Sequence, residues 1–479
     1  MAVIRKLRSP LAPPTVGVVN EDGSVFLRPP GARKSRRAHI TDEHKPGTRL
    51  YASWDTIQSL LARGEGEALT WGAQPVKWRH ERRPDEEQWR PRPSDVSVLR
   101  VDFPDDDRRA LEGLARWRDW LHARGARPTG SLGGSALCLL RATIPHDVWT
   151  MRGDPPPIEA TLGARQFCAV DPGTSVSPAV HLDLPSAYPT VMGQLLCGDA
   201  IWRQVDKREL LRLPIEERHK VEPLIVEARV RVPDLPFGPL PERPTVTAPP
   251  DSWEHSAELE GAAAASYPTG KTITGVWGWP ELAEARAAGC RVTPLRGWIL
   301  INDGTRPFQR WLYACREGRE LPGFAAVLAK ASANAAWGAL VIGQGARAVV
   351  SYDPRRGRVR RLLPPLPGSG GRSWDMAELI CGTVRAELAR MMREVGPGLV
   401  TAHTDGGWCR AGTTPPPGWI VKTKAARLDV VGAQTLRYWP PGGRSARGPL
   451  YAVAGWPQRM AAEAFEADWS TVPKREEYA

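Results

Sequence analysis

Two aspartates each stand at the end of an apolar run. Asp183 closes the run in AVHLDLPSAYPTVMGQLL, and Asp405 closes the one in GLVTAHTDGGW. After Asp183, Pro185 forbids a regular strand and Ser186 is placed to cap a helix. The segment therefore predicts strand, acid, turn and helix. Backbone N–H groups at the start of such a helix are a resting place for phosphate oxygens. At Asp405, Gly406 and Gly407 break the run, and Asp-Gly is a common two-residue hairpin connection, so the acid is expected at a hairpin tip. A turn alone would account for one such acid. Two carboxylates on adjacent strands repel each other, and they coexist when a divalent cation lies between them or one takes a proton. Two Mg²⁺ ions about 3.5–4 Å apart, bridged by carboxylates, form the usual clamp for in-line displacement at phosphorus.

Chemistry on a nucleoside triphosphate also needs cations for the phosphates. In LYACREGRELPGFAAVLAKASANAAWGAL, Arg316 and Arg319 fall on one predicted helix, and Lys330, Asn334 and Trp337 on the next. The last three recur at i, i+4 and i+7 and share one helical face. Lysine is scarce, 11 residues against 54 arginines, and Lys330 rises from a surface of Ala and Ser. An ordinary solvated lysine is the alternative; the small neighbours favour a ligand.

These residues need elements to carry them. A chain of 479 residues with 42% hydrophobic content supports several packed units, and 47 prolines with 46 glycines imply long loops. The net charge of +12 favours a polyanionic partner, nucleic acid or a membrane surface. The seven cysteines form no CxxC pair, which argues against zinc sites and a disulfide framework and for a reducing interior. There is neither a membrane-length apolar stretch nor a signal-peptide core, so a cytoplasmic location is expected.

Residues 1–45 are basic, proline-rich and aperiodic, and are expected as a loose arm that touches phosphates or is simply solvated. DDRRALEGLARWRDWLHARG has helical spacing, and EERHKVEPLIVEARVRVPDLP reads as a loop followed by a strand. YPTGKTITGVWGWPELAEARAAGCRVTPLRGWILI parses as strand, turn, helix, strand and strand, with Gly289 near the helix end. From Pro307 to Leu340 two helices are broken at GRELPG, and RSWDMAELICGTVRAELARMMREVG is a long amphipathic helix leading into the Asp405 hairpin. PRRGRVRRLLPPLPGSGGR is either a hairpin touching nucleic acid or a solvated loop. No repeat of 20 to 50 residues is visible.

Together, three stretches resemble the polymerase motifs of family B DNA polymerases, closest in size to the small protein-primed branch of phages and plasmids. DLPSAYP is similar to motif A, D-x-x-S-L-Y-P; KASANAAWG to motif B, K-x-x-x-N-x-x-Y-G; and TAHTDGG to motif C, Y-x-D-T-D-S. Their order agrees, with 147 residues from Asp183 to Lys330 and 75 from Lys330 to Asp405. TLGARQFCAV resembles the template-contacting Y-x-G-G/A stretch, and VKTKAARLDVVGAQTLRYW with GPLYAVAGWP resembles the region leading to the thumb. The similarity spans roughly residues 160 to 460. It implies an α/β (α+β) right-hand polymerase: a palm of antiparallel sheet plus helices, helical fingers, a small thumb and a reduced N-terminal domain. The expected divisions are a basic Pro-rich arm (1–45), an N-terminal domain that is a degenerate exonuclease remnant (46–160), palm (161–300 and 346–432), fingers (301–345) and thumb (433–479).

The resemblance further implies a template-directed DNA polymerase that adds dNTPs to a 3′-OH with two Mg²⁺ ions, Mn²⁺ being able to substitute. Asp183 and Asp405 would ligate both ions, with the carbonyl of Leu184 as a further ligand. Ser186, Ala187, Tyr188, Arg316, Arg319, Lys330 and Asn334 would bind the dNTP, Tyr188 excluding a 2′-hydroxyl. Gly163, Arg165, Trp337, His403, Lys422, Lys424 and Tyr438 would contact DNA. The implied partners are primer-template DNA and dNTPs, with a terminal or priming protein as a candidate and no membrane. The implied setting is a bacterial cytoplasm or nucleoid, with a phage or plasmid as candidate source. The chain departs from the pattern at His403, where motif C has its first aspartate, at Gly406 for serine, at Thr401 and Thr161 for tyrosines, and at Trp337 for the motif B tyrosine. Residues 1–160 carry no D-x-E strand; Asp102 in SVLRVDFPDDD has no acid two positions on, so proofreading is not expected. Two other functions stay open: a polymerase-shaped DNA-binding protein that no longer catalyses, and self-primed synthesis or terminal transfer.

Overall fold

A computed structural model of the chain describes residues 13–20, 24–32, 34–39, 48–52, 56, 59, 69–71, 74–75, 96–98, 101, 104, 106–129, 132–144, 152–158, 165–171, 173–212, 222–242, 266–342, 350–353, 358–361, 374–432, 435–442 and 449–453. It is a mixed α/β structure with mainly antiparallel sheets and, among the described residues, eight α-helices. Two compact units emerge: residues 1–146, 308–339 and 347–363 form one, and residues 147–307, 340–346 and 364–479 the other.

The second unit carries both aspartates. In chain order its main elements begin with β1 (Gln166–Cys168), β2 (Ala179–Asp183), α1 (Ala187–Gln194), β3 (Ile201–Asp206), β4 (Leu224–Arg231) and β5 (Thr272–Gly278). They continue with α2 (Trp279–Ala287), β6 (Arg291–Ile301), α3 (Trp374–Val395), β7 (Leu399–His403) and β8 (Gly406–Arg410). The last are β9 (Ile420–Ala425), β10 (Arg427–Gly432), β11 (Thr435–Trp439) and β12 (Leu450–Val453).

The central sheet has the order β9–β2–β8–β7–β1, every pair antiparallel. Strand periodicity sends Val180 and Leu182 to one face, where they pack with Leu388, Met391 and Met392 of α3. Ala179 faces the other way, into a cluster with Trp408, Leu428, Val430 and Leu436. Each fully buried aliphatic side chain contributes about 1.5–3 kcal/mol, so both faces of this sheet are anchored. On α3, buried Met376, Ile380, Val384, Leu388 and Met391 recur at steps of four and three, the spacing of one helical stripe. Gly396, at φ +57, follows the helix end.

A second sheet runs β5–β4–β6–β3, with Arg152–Gly153 parallel to β3 at its edge. The two strands expected after Gly289 are one, β6. Its register against β4 passes over Leu295, pairing Glu227 with Arg296 and Ala228 with Pro294. A bulge accommodates Pro294 within the single strand. Helix α2 docks on α3 through buried ions. Arg385 of α3 donates to Glu281 of α2 at 2.8 and 3.1 Å and to Glu378 at 2.7 Å. Burial opposes the charge on Arg385, yet the two glutamates hold its pKa well above the ordinary guanidinium value. Nearer the surface, Arg393 donates to Glu284 at 2.7 and 3.1 Å.

The first unit contains a seven-stranded sheet. Val16–Val19, Ser24–Arg28 and Arg36–His39 form an antiparallel ribbon, which Arg49–Ala52, Val96–Val98 and Leu69–Trp71 extend in parallel. Within the described part of residues 1–45, these strands correct the expectation of a loose arm; residues 1–12 and 40–45 lie outside the described residues. Val16, Val25 and Leu27 are fully buried. Runs of four or five residues between Pro, Asn and Gly are too short to show a period without their partner strands. Helix Asp107–His122 starts where Asp106 accepts the N–H groups of Arg108 and Arg109, at 2.8 and 3.3 Å. The two helices expected around GRELPG are Gln309–Arg319 and Phe324–Ile342. Val350–Asp353 and Arg358–Arg361 pair as a hairpin. Asp102 lies outside the described residues. Among the described residues no helix is long and apolar enough to cross a membrane.

Replacing Arg385 with alanine leaves Glu281 and Glu378 buried without their cation, and urea denaturation is expected to show a loss of about 3–5 kcal/mol. Arg393→Ala, at a partly exposed pair, is expected to cost about 1 kcal/mol or less.

Candidate functional site

Strand β2 pairs with β8 so that Asp183 stands opposite Gly406, and β7 turns into β8 through Thr404 and Asp405. Neighbouring strands lie about 4.8 Å apart, so both carboxylates arise at one end of the sheet. The N–H of Leu184 donates to the carbonyl of Asp405 at 2.8 Å, tying the end of one strand to the turn of the other. The hairpin tip is Thr404-Asp405 rather than Asp405-Gly406. Thr404 takes the left-handed conformation, φ +51, and Gly406 is the first strand residue. Gly406 instead leaves room for a ring, since a Cβ on it would meet Cε1 and Nε2 of His181 at 2.9 Å. A Cβ on Gly407 would lie 2.7 Å from the Thr401 carbonyl oxygen. Both glycines serve close approach.

The other neighbour of β2 is irregular. His181 opposes Thr423 and Leu182 opposes Val421, so Lys422 is passed over in the pairing. The bulge aims Lys422 Nζ at Asp183 Oδ1, 2.7 Å away. On the same side His181 and His403 stack, ring centroids 5.8 Å apart, and His181 packs on Trp408 at 5.1 Å. Burial, then the Lys422 charge, pushes the His403 pKa down to about 4. Burial, His403 and Lys422 push that of His181 down to about 3. Both imidazoles are therefore neutral at pH 7. Tyr188 is buried in the first turn of α1, where burial, then Cys381 and Asp405, raises its phenol well above the ordinary range. Two carboxylates and the Leu184 carbonyl are hard oxygen donors of the kind Mg²⁺ takes, with phosphates and water completing its shell. Among the described residues no group of three His, Cys, Asp or Glu side chains converges as a protein-only metal cage.

No protein-family model matches the chain, and no curated protein does. Solved structures do. Phi29 DNA polymerase in its ternary complex with primer-template DNA and incoming nucleotide aligns over 94% of each chain, with a TM-score of 0.54 and 12% identity. The same polymerase complexed with single-stranded DNA aligns over 94% of each chain, at TM-score 0.53 and 10% identity. The chain has the fold of phi29 DNA polymerase, a protein-primed family B enzyme. At such identity the likeness is one of fold.

Within this phi29-type fold the expected site residues divide. Asp183, Leu184, Ser186, Ala187, Tyr188, His403, Asp405 and Lys422 gather at the β2–β8 end. Ser186 precedes α1 but does not cap it: it sits at φ +55 and its side chain makes no capping bond. Lys422, expected on DNA, is held by Asp183. Arg165, expected on template, is 1% exposed, so its side chain offers no surface to a strand. Tyr438 turns inward onto Trp408, centroids 5.0 Å apart, and the alternating residues Arg437 and Trp439 take the other face of β11. Lys424 is exposed on β9. Lys330 and Asn334 are exposed on Phe324–Ile342, and Arg316 is exposed and Arg319 half-buried on Gln309–Arg319; all four belong to the first unit. Gly163 and the side chain of Trp337 lie outside the described residues. His181 was not anticipated, although its place two residues before Asp183 on a strand puts it on the same face.

The histidines set a pH dependence. An unfolded histidine titrates near 6.5 and folded His403 at about 4, so between these values the unfolded chain binds more protons. The stability held above pH 6.5 is lost as pH falls toward 4, at up to about 1.4 kcal/mol per pH unit per histidine. Thermal melts over that window are expected to fall more steeply for wild type than for His403→Asn. Equal slopes would contradict the neutral imidazole.

Proposed function

We propose that the chain is a template-directed DNA polymerase that adds dNTPs to a primer 3′-OH. The register that sets Asp183 opposite Gly406, with Asp405 at the adjoining turn, carries this proposal in a chain of phi29 polymerase fold. When bound, two Mg²⁺ ions would activate the attacking hydroxyl and steady the leaving group. Asp183, Asp405 and the Leu184 carbonyl are the residues that would hold them, and Mn²⁺ would fit the same donors. The backbone of Ser186 and Ala187 borders the phosphates, and buried Tyr188 excludes a 2′-hydroxyl. Lys330 and Arg316, with Arg319 in support, are assigned the triphosphate and Asn334 the nascent pair, on the motif pattern alone. His403 and Lys424 face DNA in this proposal, and the +12 charge suits that partner. The β2–β8 sheet is then the palm, the helices Gln309–Arg319 and Phe324–Ile342 the fingers, and the region after residue 433 the thumb. Residues 46–160 are assigned to a reduced exonuclease-type domain without proofreading, on the resemblance alone. A priming protein is a candidate partner, and a bacterial cytoplasm the proposed setting.

One observation favours a second function. An ammonium on Asp183 and a neutral His403 in motif C suit a module that holds DNA without extending it. Primer extension with dNTPs in Mg²⁺ and in Mn²⁺ separates the two. The polymerase is expected to extend, and Asp183→Asn or Asp405→Asn to slow it roughly a thousandfold or more, ~4 kcal/mol in barrier. Salt-sensitive DNA binding without extension in either metal would establish the binder. Tyr188→Ala is expected to raise the use of rNTPs relative to dNTPs by about ten- to hundredfold, measured as the ratio of kcat/KM values.

A further inference from the structure

Arg165 sits immediately before β1, and its guanidinium is enclosed by rings. Its carbon lies 4.2 Å from the centroid of Tyr267, 5.3 Å from Phe237 and 5.9 Å from Phe167. Nη2 donates to the Gly238 carbonyl oxygen at 2.6 Å, while Nε and Nη1 are buried with no hydrogen-bond partner. The Tyr267 hydroxyl is likewise buried and unpartnered. Burial lowers the Arg165 pKa to about 10. Each buried donor left unmade costs about 1–3 kcal/mol, so a residue kept this way calls for an explanation.

The backbone of the same residue supplies one. The Arg165 carbonyl oxygen accepts the Thr404 N–H at 3.0 Å, and the next residue pair in the ladder is Gln166 with His403. Thr404, at φ +51, sets the direction in which Asp405 leaves the turn. One end of Arg165 thus grips the turn carrying the second carboxylate. The other end grips Phe237–Gly238 and Tyr267, two segments themselves in close approach: a Cβ on Gly238 would lie 2.3 Å from the Pro268 carbonyl oxygen.

We infer that Arg165 is a positioning residue whose caged side chain fixes the Thr404–Asp405 turn and so aligns the Asp405 carboxylate with Asp183. The inference rests on the proposal that these carboxylates hold divalent cations. Lysine in its place keeps the charge but lacks the planar fork that lies among three rings while reaching Gly238. The turn then loses its anchor, and a misplacement of about 1 Å at a reacting centre costs about a hundredfold.

The test is Mn²⁺ binding in the absence of nucleotide, followed by loss of the free-ion EPR signal, beside primer extension titrated in Mg²⁺ and in dNTP. Arg165→Lys is expected to weaken Mn²⁺ binding about tenfold and to raise the Mg²⁺ needed for half-maximal extension, with the dNTP KM unchanged. A merely structural role would instead lower the number of binding sites at unchanged affinity, and that result overturns the inference, as does wild-type binding by the folded variant. If Arg165→Lys does not fold, Phe237→Leu removes one wall of the cage and is expected to weaken Mn²⁺ binding in the same direction; unchanged affinity overturns the inference there. Failure of the polymerase proposal looks different: wild type would extend no primer, and Asp405→Asn would leave its Mn²⁺ binding untouched.

Discussion

Pairing Ala179–Asp183 with Gly406–Arg410 in a single register crowds two carboxylates at one end of a sheet, and much of the surrounding chemistry answers that crowding. A slip by one residue would carry Asp183 to the face where Leu388 and Met391 are buried. Val180 and Leu182 on the α3 side therefore hold the register, and the acids inherit their place from apolar packing. The glycines after Asp405 belong to the same constraint, because side chains there would strike His181 and the Thr401 carbonyl.

Negative charge at this sheet end is balanced locally. Lys422 reaches Asp183 through a bulge, and the neighbouring histidines stay neutral because burial and that ammonium both oppose protonation. Where the family motif has a third carboxylate, this chain has an uncharged ring stacked on another. This sheet end thus carries less negative charge than the motif pattern would give it.

Behind the site the polar groups are buried rather than solvated. Glu281, Arg385 and Glu378 join α2 to α3, and Arg165 joins the Thr404 turn to Phe237, Gly238 and Tyr267. Such groups are costly to bury and costly to separate. They tie together the segments that lie behind the two carboxylates.

The order of elements was legible along the chain. The strand ending at Asp183, the long helix before the hairpin, the break at GRELPG and the three motif stretches all rest on short-range patterns: apolar period, turn residues, helix breakers. The ribbon within residues 16–39 was not legible, because strands of four or five residues declare themselves only beside their partners. Nor were the passed-over Lys422, 239 residues from the Asp183 it neutralises, or the burial of Arg165 among rings from distant segments. Residue types and spacing announce which chemistry is available and on which element each group rides. Register, bulges and burial arise from contacts between segments far apart in the chain, and it is these that choose which charged side chain meets the acid and which is sealed inside.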